Sequence, residues 1–425
     1  MNLLMITNSY APNVGGIEQS IERFTEDFRN EGHRTLVVAP TCKGETESDD
    51  RVVRIPAIQN AFATDYALTM PFYSGLRDRV TEFSPDLIHS HYPFMLGDTA
   101  LRLARELTRP LVFTFHSLYE RYVGTGEDES KVLAKLLMHL PVEYGNLCDL
   151  TIAPTESIAR MARERGAESP MVIIPSGVDT DVFSNGNPTA FRERFEIPPD
   201  VPLIGHVGRI IPAKNLSYLA EAVAQTLEKR SDAWFVVVGD GEARPTMQAI
   251  LEDHGLGDRT VFTGALHGED LVNAYTAMDL FVFASKTDTQ GLVLVEALSA
   301  GTPVVALDAP GARDVIRPEC GRLVEEDSPP AAYSKCLLDL LQDTKSLNDL
   351  ASAAPERAND FDRKVCAEQM LEVYSELIDE FAAASRGDAQ YTVWELLQNR
   401  FAAEWDLLRE KGNLVAVAFD HNDSD

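Results

Sequence analysis

Lysine is scarce in this chain: it supplies only ten of the 38 basic residues, which face 67 acidic ones for a formal net charge of −29. No basic stripe exists to neutralise phosphates along a strand, which excludes nucleic acid as a partner. The acid is dispersed along the chain and is not gathered in one tail. Dispersed acid with little lysine is expected of a protein from a halophilic cytoplasm, where salt screens self-repulsion within a few ångströms. Cysteine is also sparse. Cys42, Cys148, Cys320, Cys336 and Cys366 are far apart and form no Cys-x-x-Cys pair, so neither a zinc site nor a disulfide framework is expected. No apolar run is long enough to cross a bilayer. The first residues, Met1-Asn-Leu-Leu-Met-Ile-Thr7, read as a strand because they lack a basic region and a cleavage site. These absences predict a cytosolic protein whose only membrane contact is peripheral.

What is present is enough apolar residue, 44%, for well-packed cores in a chain of 425 residues, too long for one ordinary domain. Apolar runs at 3–7, 35–39, 86–89, 111–114, 150–153 and 171–174 read as strands, with helical patterns between them, for example 18–31 and 98–107. A stretch richer in Asn, Gly and Pro, 179–200, reads as a linker around one short helix. The alternation then restarts with strands at 203–207, 234–239, 261–263, 280–284 and 304–307. Two doubly wound, Rossmann-like α/β domains are predicted. Beyond residue 385, Trp394, Leu397, Phe401, Trp405 and Leu408 recur at helical spacing, and 413–419 reads as a short strand. The polar face of this stripe mixes signs and lacks the cationic bias of interfacial helices, which favours docking on the chain itself or on a partner.

The segment Ser285-Lys-Thr-Asp-Thr-Gln-Gly-Leu-Val-Leu-Val-Glu296 concentrates the chemistry. A buried strand precedes it, Gly291 sits in a turn, and a helix comes next. A helix that starts at a glycine turn offers unbonded N–H groups and a partial positive charge to an anion. Asp288 and Glu296 flank that anion, and carboxylates accept hydrogen bonds from sugar hydroxyls. An anion flanked by hydroxyl donors describes a nucleotide-sugar. Earlier, Val207-Gly-Arg-Ile-Ile-Pro-Ala-Lys-Asn215 succeeds the first strand of the second domain, and Arg209 and Lys214 lie where open α/β sheets bind ligands. Arginine forks onto a diphosphate and lysine adds a point charge, so both suit the diphosphate of such a ligand. In the first domain, Gly15 and Gly16 leave room for close backbone approach, and His91 and His116 each come directly after a strand.

The Asp288-x7-Glu296 spacing, the Gly-Arg…Lys-Asn pair and Phe113-Thr-Phe-His-Ser-Leu-Tyr-Glu120 together resemble family 4 of the retaining GT-B glycosyltransferases over roughly residues 1–384. Asp288 departs from the family's usual Glu and is one methylene shorter. The resemblance implies two Rossmann-like domains facing across a cleft, with a first domain over 1–180, a nucleotide-sugar domain over 181–361, a crossover helix over 362–384 and a tail over 385–425. It implies that Asp288, Thr289 and Gln290 meet the donor sugar and Glu296 the ribose. Arg209, Lys214, Gly15, Gly16 and Gly291 would meet the diphosphate, His116 the donor sugar beside the reacting carbon, and His91 the acceptor side. Gly177 would permit a hinge turn between the domains, and Asp179 would cap the segment after it. Fixed cations imply a reaction without metal, and Asp49-Asp50 reads as an exposed loop pair. The nearest branch is diacylglycerol glucosyltransferase-like, which implies UDP-glucose as donor and a lipid or glycan acceptor. Apolar faces around 66–76 and 132–140 would then rest on a bilayer or face the core. A GDP-mannose-dependent mannosyltransferase and a non-catalytic nucleotide-sugar-binding subunit are the alternatives. A sugar-nucleotide 2-epimerase fits the acid spacing less well.

Overall fold

In a computed structural model of the chain, residues 1–13, 15–42, 49–58, 68–69, 74–122, 128–385, 406–407 and 409 are described. They fall into two compact units, residues 1–175 with 366–425, and residues 176–365. The hinge candidate Gly177 and its neighbours up to 180, expected in the first domain, therefore belong to the second unit. There Val178 bridges Asp362, and a side chain at Gly177 would collide with the Arg363 backbone. Asp179 caps the short helix Thr180–Phe183 by accepting from the Val182 N–H.

The first unit contains β1 (Asn2–Ile6), β2 (Arg34–Pro40), β3 (Val52–Ile55), the two-residue strands β4 (Ala57–Ile58) and β5 (Leu68–Thr69), β6 (Leu87–Ser90), β7 (Leu111–Thr114), β8 (Leu150–Ala153) and β9 (Met171–Ile173). All but the antiparallel β4–β5 pair form one parallel sheet in the order β3-β2-β1-β6-β7-β8-β9. The second unit contains β10 (Leu203–Val207), β11 (Trp234–Val238), β12 (Thr260–Gly264), β13 (Leu280–Phe283), β14 (Val304–Leu307) and β15 (Gly321–Val324), in the parallel order β12-β11-β10-β13-β14-β15. Strands such as Leu-Phe-Val-Phe and Val-Val-Ala-Leu are apolar at every position because helices cover both faces of each sheet.

Both sheets reverse their winding once, between β1 and β6 and between β10 and β13. The carboxyl ends at such a reversal splay their loops apart and leave a crevice for ligands. The last helix, Arg363–Ser385, belongs to the first unit from Cys366 onward and buries Cys366, Met370 and Tyr374 in its core. Trp394, Leu397, Phe401, Trp405, Leu408 and 413–419 lie outside the described residues. Leu407, next to the expected stripe, is buried in a core cluster of the first unit, so the tail docks on its own chain at that point. Among the described residues no helix is long and apolar enough to cross a membrane.

Candidate functional site

In the second unit, two loops leave the sheet at its winding reversal. After β10, Gly208 (φ +154°) and Arg209 lead to a 3-10 turn, Pro212–Lys214, closed by Asn215 in the left-handed region. This loop lies on the one after β11. Ile210 N–H donates to Asp240 O and Ala243 N–H to Ile210 O. A side chain at Gly239 would strike Gly208 O, and one at Gly241 would strike Ile210 O. Asn215 ties the first loop to the second by donating from Nδ2 to Ala284 O at 3.2 Å. The second loop succeeds β13 and ends at Gly291, whose φ of +68° starts the helix Leu292–Ser299. A Cβ there would also meet Leu294 Cδ1 at 2.9 Å.

These loops bring Lys214 and Asp288 together: Nζ donates to Oδ1 at 2.5 Å. The other carboxylate oxygen, Oδ2, is buried and accepts no hydrogen bond among the described residues. Burial pushes the Asp288 pKa up, but the charge and hydrogen bond of Lys214 outweigh it, with smaller shares from the nearby Ser285 hydroxyl and then Arg209, and hold it below the ordinary value. Arg209 is exposed. Glu296 is buried and accepts from the Tyr275 hydroxyl at 2.8 Å. Thr289 is half-buried beside Asp288. Gln290 departs from expectation. Its Oε1 accepts from Ser176 N–H at 2.7 Å and its Nε2 donates to Ser176 O at 2.9 Å. A side chain 3% exposed and bonded at both ends clamps the segment leading into the unit and is placed to hold structure, not sugar.

In the first unit, the loops after β6 and β7 hold histidines. His91 Nδ1 lies 2.9 Å from His116 Nε2, so one ring supplies the proton and the other the lone pair. Buried His89 packs against His91 with ring centroids 4.1 Å apart and the rings tilted by 31°. Its Nδ1 meets the Tyr374 hydroxyl at 2.5 Å and its Nε2 the Thr114 hydroxyl at 2.7 Å. Burial holds all three imidazoles neutral, His89 and His91 well below the ordinary value and His116 at about 3. Asn8 links the loops, donating to Phe94 O and accepting from Leu96 N–H at the start of the helix Leu96–Leu107. The helix Gly16–Asn30 begins at the glycine pair, with Gly15 as its cap residue and Glu18 in its first turn.

Several supporting groups carry no mark in the sequence. Tyr275 reaches Glu296 in the second unit, and Tyr374 and Asn8 reach the histidine loops of the first, from distant segments, and no local pattern distinguishes them. Gly311 is visible only as a glycine after a strand; a Cβ there would meet Asp288 O at 2.5 Å, so it sets how closely the Asp288 loop can pack. Among the described residues no group of three His, Cys, Asp or Glu is arranged to hold a metal ion. Asp49 is instead tied to Arg51 at 2.8 Å.

Residues 14–182 match the family described as Glycosyltransferase Family 4, and residues 188–357 the one described as Glycosyl transferases group 1. A GDP-mannose-dependent alpha-mannosyltransferase from Mycolicibacterium smegmatis is 31% identical over 363 residues, covering 81% of this chain and 90% of its own. An alpha-monoglucosyldiacylglycerol synthase from Streptococcus pneumoniae is 26% identical over 322 residues, covering 74% of this chain and 73% of its own. Among solved structures, a sucrose-phosphate synthase from Thermosynechococcus elongatus shares the fold with a TM-score of 0.73 at 21% identity, over 89% of this chain and 99% of that one. The alternative of a non-catalytic subunit falls with these matches. Identity at this level across nearly the whole chain, on two parallel sheets with their switch-point loops intact, places the chain in glycosyltransferase family 4: it is a GT-B enzyme of the hexosyltransferase type that uses a nucleotide-sugar.

Proposed function

We propose that the enzyme is a retaining transferase that moves glucose from UDP-glucose to a lipid hydroxyl without a metal ion. The donor assignment rests on the Asp288 carboxylate, which has one oxygen on Lys214 and a second, buried oxygen that accepts nothing among the described residues. A carboxylate so arranged is prepared to accept from a hydroxyl of the transferred hexose. Lys214 and Arg209 then face the diphosphate, the helix beginning at Gly291 adds its N–H groups, and Glu296 accepts from the ribose. Thr289 lines the sugar, Gly15 and Gly16 admit the phosphates, His116 flanks the reacting carbon and His91 the acceptor. The bond from the anomeric carbon to the diphosphate breaks as the acceptor oxygen attacks from the same face. The departing phosphate oxygen takes the acceptor proton. Fixed cations stabilise the charge that develops there more than the charge of the bound donor, which lowers the barrier. Asp288, held by Lys214, serves as a binding group and not as a nucleophile.

A lipid acceptor is supported by the diacylglycerol glucosyltransferase-like segments around His116 and Asp288, and by the pneumococcal relative, which is named for a glycolipid. Contact with the membrane surface would be peripheral. A second reading, a GDP-mannose-dependent mannosyltransferase, is favoured by the relative at 31% identity. One experiment separates them. Thermal unfolding at high salt is followed with UDP, GDP, ADP and their glucose, mannose and N-acetylglucosamine conjugates, with and without EDTA. A ligand that binds only the folded state stabilises it by mass action, by ~2.7 kcal/mol at a hundred times its Kd, and so raises the midpoint. We expect UDP and UDP-glucose to stand out, unchanged by EDTA. A GDP response would establish the mannosyl reading, an EDTA effect would overturn metal independence, and silence across the panel would refute the donor site.

A further inference from the structure

The opposite edge of the first sheet carries a second cationic feature, unrelated to the donor loops. A cavity of about 330 Å³ opens at the amino ends of β2 and β3 and at the end of the helix Gly16–Asn30. Arg29, Arg34, Arg51 and Arg79 line it, against the carboxylates of Asp50 and Glu82.

Their hydrogen bonding is uneven. Arg51 is satisfied by Asp49, and Arg79 donates to Asp50 O at 2.9 Å. Arg34 lies over the Phe83 ring, 5.2 Å from its centroid. Arg29 differs: Nε and Nη2 are both buried, and neither donates to any described residue. Thr35 lines the same cavity, is 5% exposed, and its Oγ1 has no partner among the described residues either. The partial negative charge at the helix end accounts for an arginine in the last turn. It does not account for guanidinium N–H groups and a hydroxyl on residues lining one cavity, all buried and without acceptors among the described residues, since such groups are nearly always paired. Burial and the neighbouring Arg51 charge also lower the Arg29 pKa, against smaller opposing shares from Tyr10, Asp49 and Glu26.

We infer that this cavity binds a small oxyanion of the phosphate class. Two N–H groups of one guanidinium match two oxygens of such an anion, and a threonine hydroxyl supplies a third donor. Arg34 and Arg79 close the electrostatic ring. The cavity lies at the amino edge of the parallel sheet, whereas the histidine loops leave its carboxyl edge, a separation of roughly 20 Å along the rise of a seven-residue strand such as β2. The site is therefore independent of the donor assignment. The anion's source is either soluble phosphate or the headgroup of an anionic phospholipid.

The test is titration calorimetry of the full chain with inorganic phosphate at constant ionic strength. It is run on the wild type, Arg29→Gln, Arg79→Gln and Arg209→Ala. We expect saturable binding that Arg29→Gln weakens by about tenfold or more, the loss of one charge-assisted pair, with Arg79→Gln weaker by a few-fold. Arg209→Ala should leave this binding intact, which separates it from any phosphate held by the donor loops. If Arg29→Gln does not fold, the exposed Arg79→Gln carries the test. Sedimentation with phosphatidylglycerol or phosphatidylcholine vesicles identifies the source. Pelleting with the former alone, reversed by phosphate and lost in the variants, assigns the headgroup; phosphate binding without pelleting assigns the soluble anion. Phosphate and vesicle binding that are both absent, or both unchanged in Arg29→Gln and Arg79→Gln, would overturn the site.

Discussion

The two units wind their sheets alike yet furnish the same topological position with opposite chemistry. At the reversal in the first, the loops present His91 and His116, with His89 beneath, all buried and neutral. At the reversal in the second, they present the ionic side chains Lys214, Asp288 and Arg209, with Asp288 held ionised by Lys214. The fold supplies the crevice in both cases, and the side chains decide what it can hold. A leaving diphosphate gains charge and needs fixed ions; a sugar ring and an incoming hydroxyl need shape and neutral hydrogen-bonding groups. The proposed division of labour follows how each unit treats burial. One lets it neutralise its bases, and the other opposes it with an ion pair.

Removing the cations should break this contrast most severely. In Arg209→Ala with Lys214→Ala, turnover should fall by about 10²–10³, the scale of losing preorganised stabilisation of a developing anion. Affinity for the preferred nucleoside diphosphate should fall with it. Asp288 would lose the partner that keeps its pKa low, and burial would then push it up. Because Lys214 and Asp288 are 13% and 21% exposed, stability should drop by about 2 kcal/mol, below the range for a fully buried pair. Steady-state kinetics and chemical denaturation check both. Full transfer by a folded double variant would refute the diphosphate assignment.

Acid should act on the units in the reverse order. His89, His91 and His116 have folded pKa values below their unfolded value of about 6.5, so the unfolded chain binds more protons beneath that pH. Their contribution is fully present above about pH 6.5 and is lost as pH falls toward the folded values, which is about 3 for His116. Each costs up to ~1.4 kcal/mol per pH unit through that window. His33 and His139, also lowered by burial, add to the first unit, whereas the second has His206 at about 4. The lowered pKa of Asp288 keeps its pair intact until pH falls below the usual carboxylate range. Hydrogen exchange at peptide resolution, corrected for intrinsic rates, should show the first unit opening before the second between pH 7 and 5. Simultaneous opening would mean that the burial of the histidines is not what separates the units.

Most of this was legible in the sequence where physics is local. Apolar runs located β1, β2, β6–β8 and β10–β14 to within a residue or two, since a strand buried on both faces has little freedom in composition. The Gly291 turn and the Lys214 and Asp288 loops were readable because each comes directly after such a strand. Short edge strands were missed: β3 is Val-Val-Arg-Ile and β15 is Gly-Arg-Leu-Val, where a charged residue interrupts the apolar pattern. Gln290 was read as a sugar contact because its neighbours in sequence carry the family resemblance, and its bonds to Ser176 could not be read because that partner is remote in the chain. Thr35 and Arg29 gave no signal, since an unpartnered donor is a property of packing alone.

The mildest substitution sharpens the comparison furthest. Tyr374, on the last helix, shares its hydroxyl with His89 Nδ1, and His89 Nε2 meets Thr114. A neutral imidazole has one N–H and one lone pair, so one of these hydroxyls donates to the ring and the other accepts from it, which fixes the ring in place. The ring so fixed is the one packed against His91. Tyr374→Phe removes one hydroxyl from a buried place and leaves His89 Nδ1 without its partner, at a cost of about 1–2 kcal/mol. If the first unit supplies shape and neutral contacts, kcat should fall only a few-fold with KM for the donor unchanged, although the unfolding midpoint drops measurably. A fall in kcat of about a hundredfold, with a shifted pH profile, would instead show that the His89–His91–His116 cluster carries a proton in the reaction. The contrast between a neutral unit and a charged one would then be a contrast between two kinds of proton and charge management, and Tyr374 would be the positioning residue that links the last helix to the chemistry.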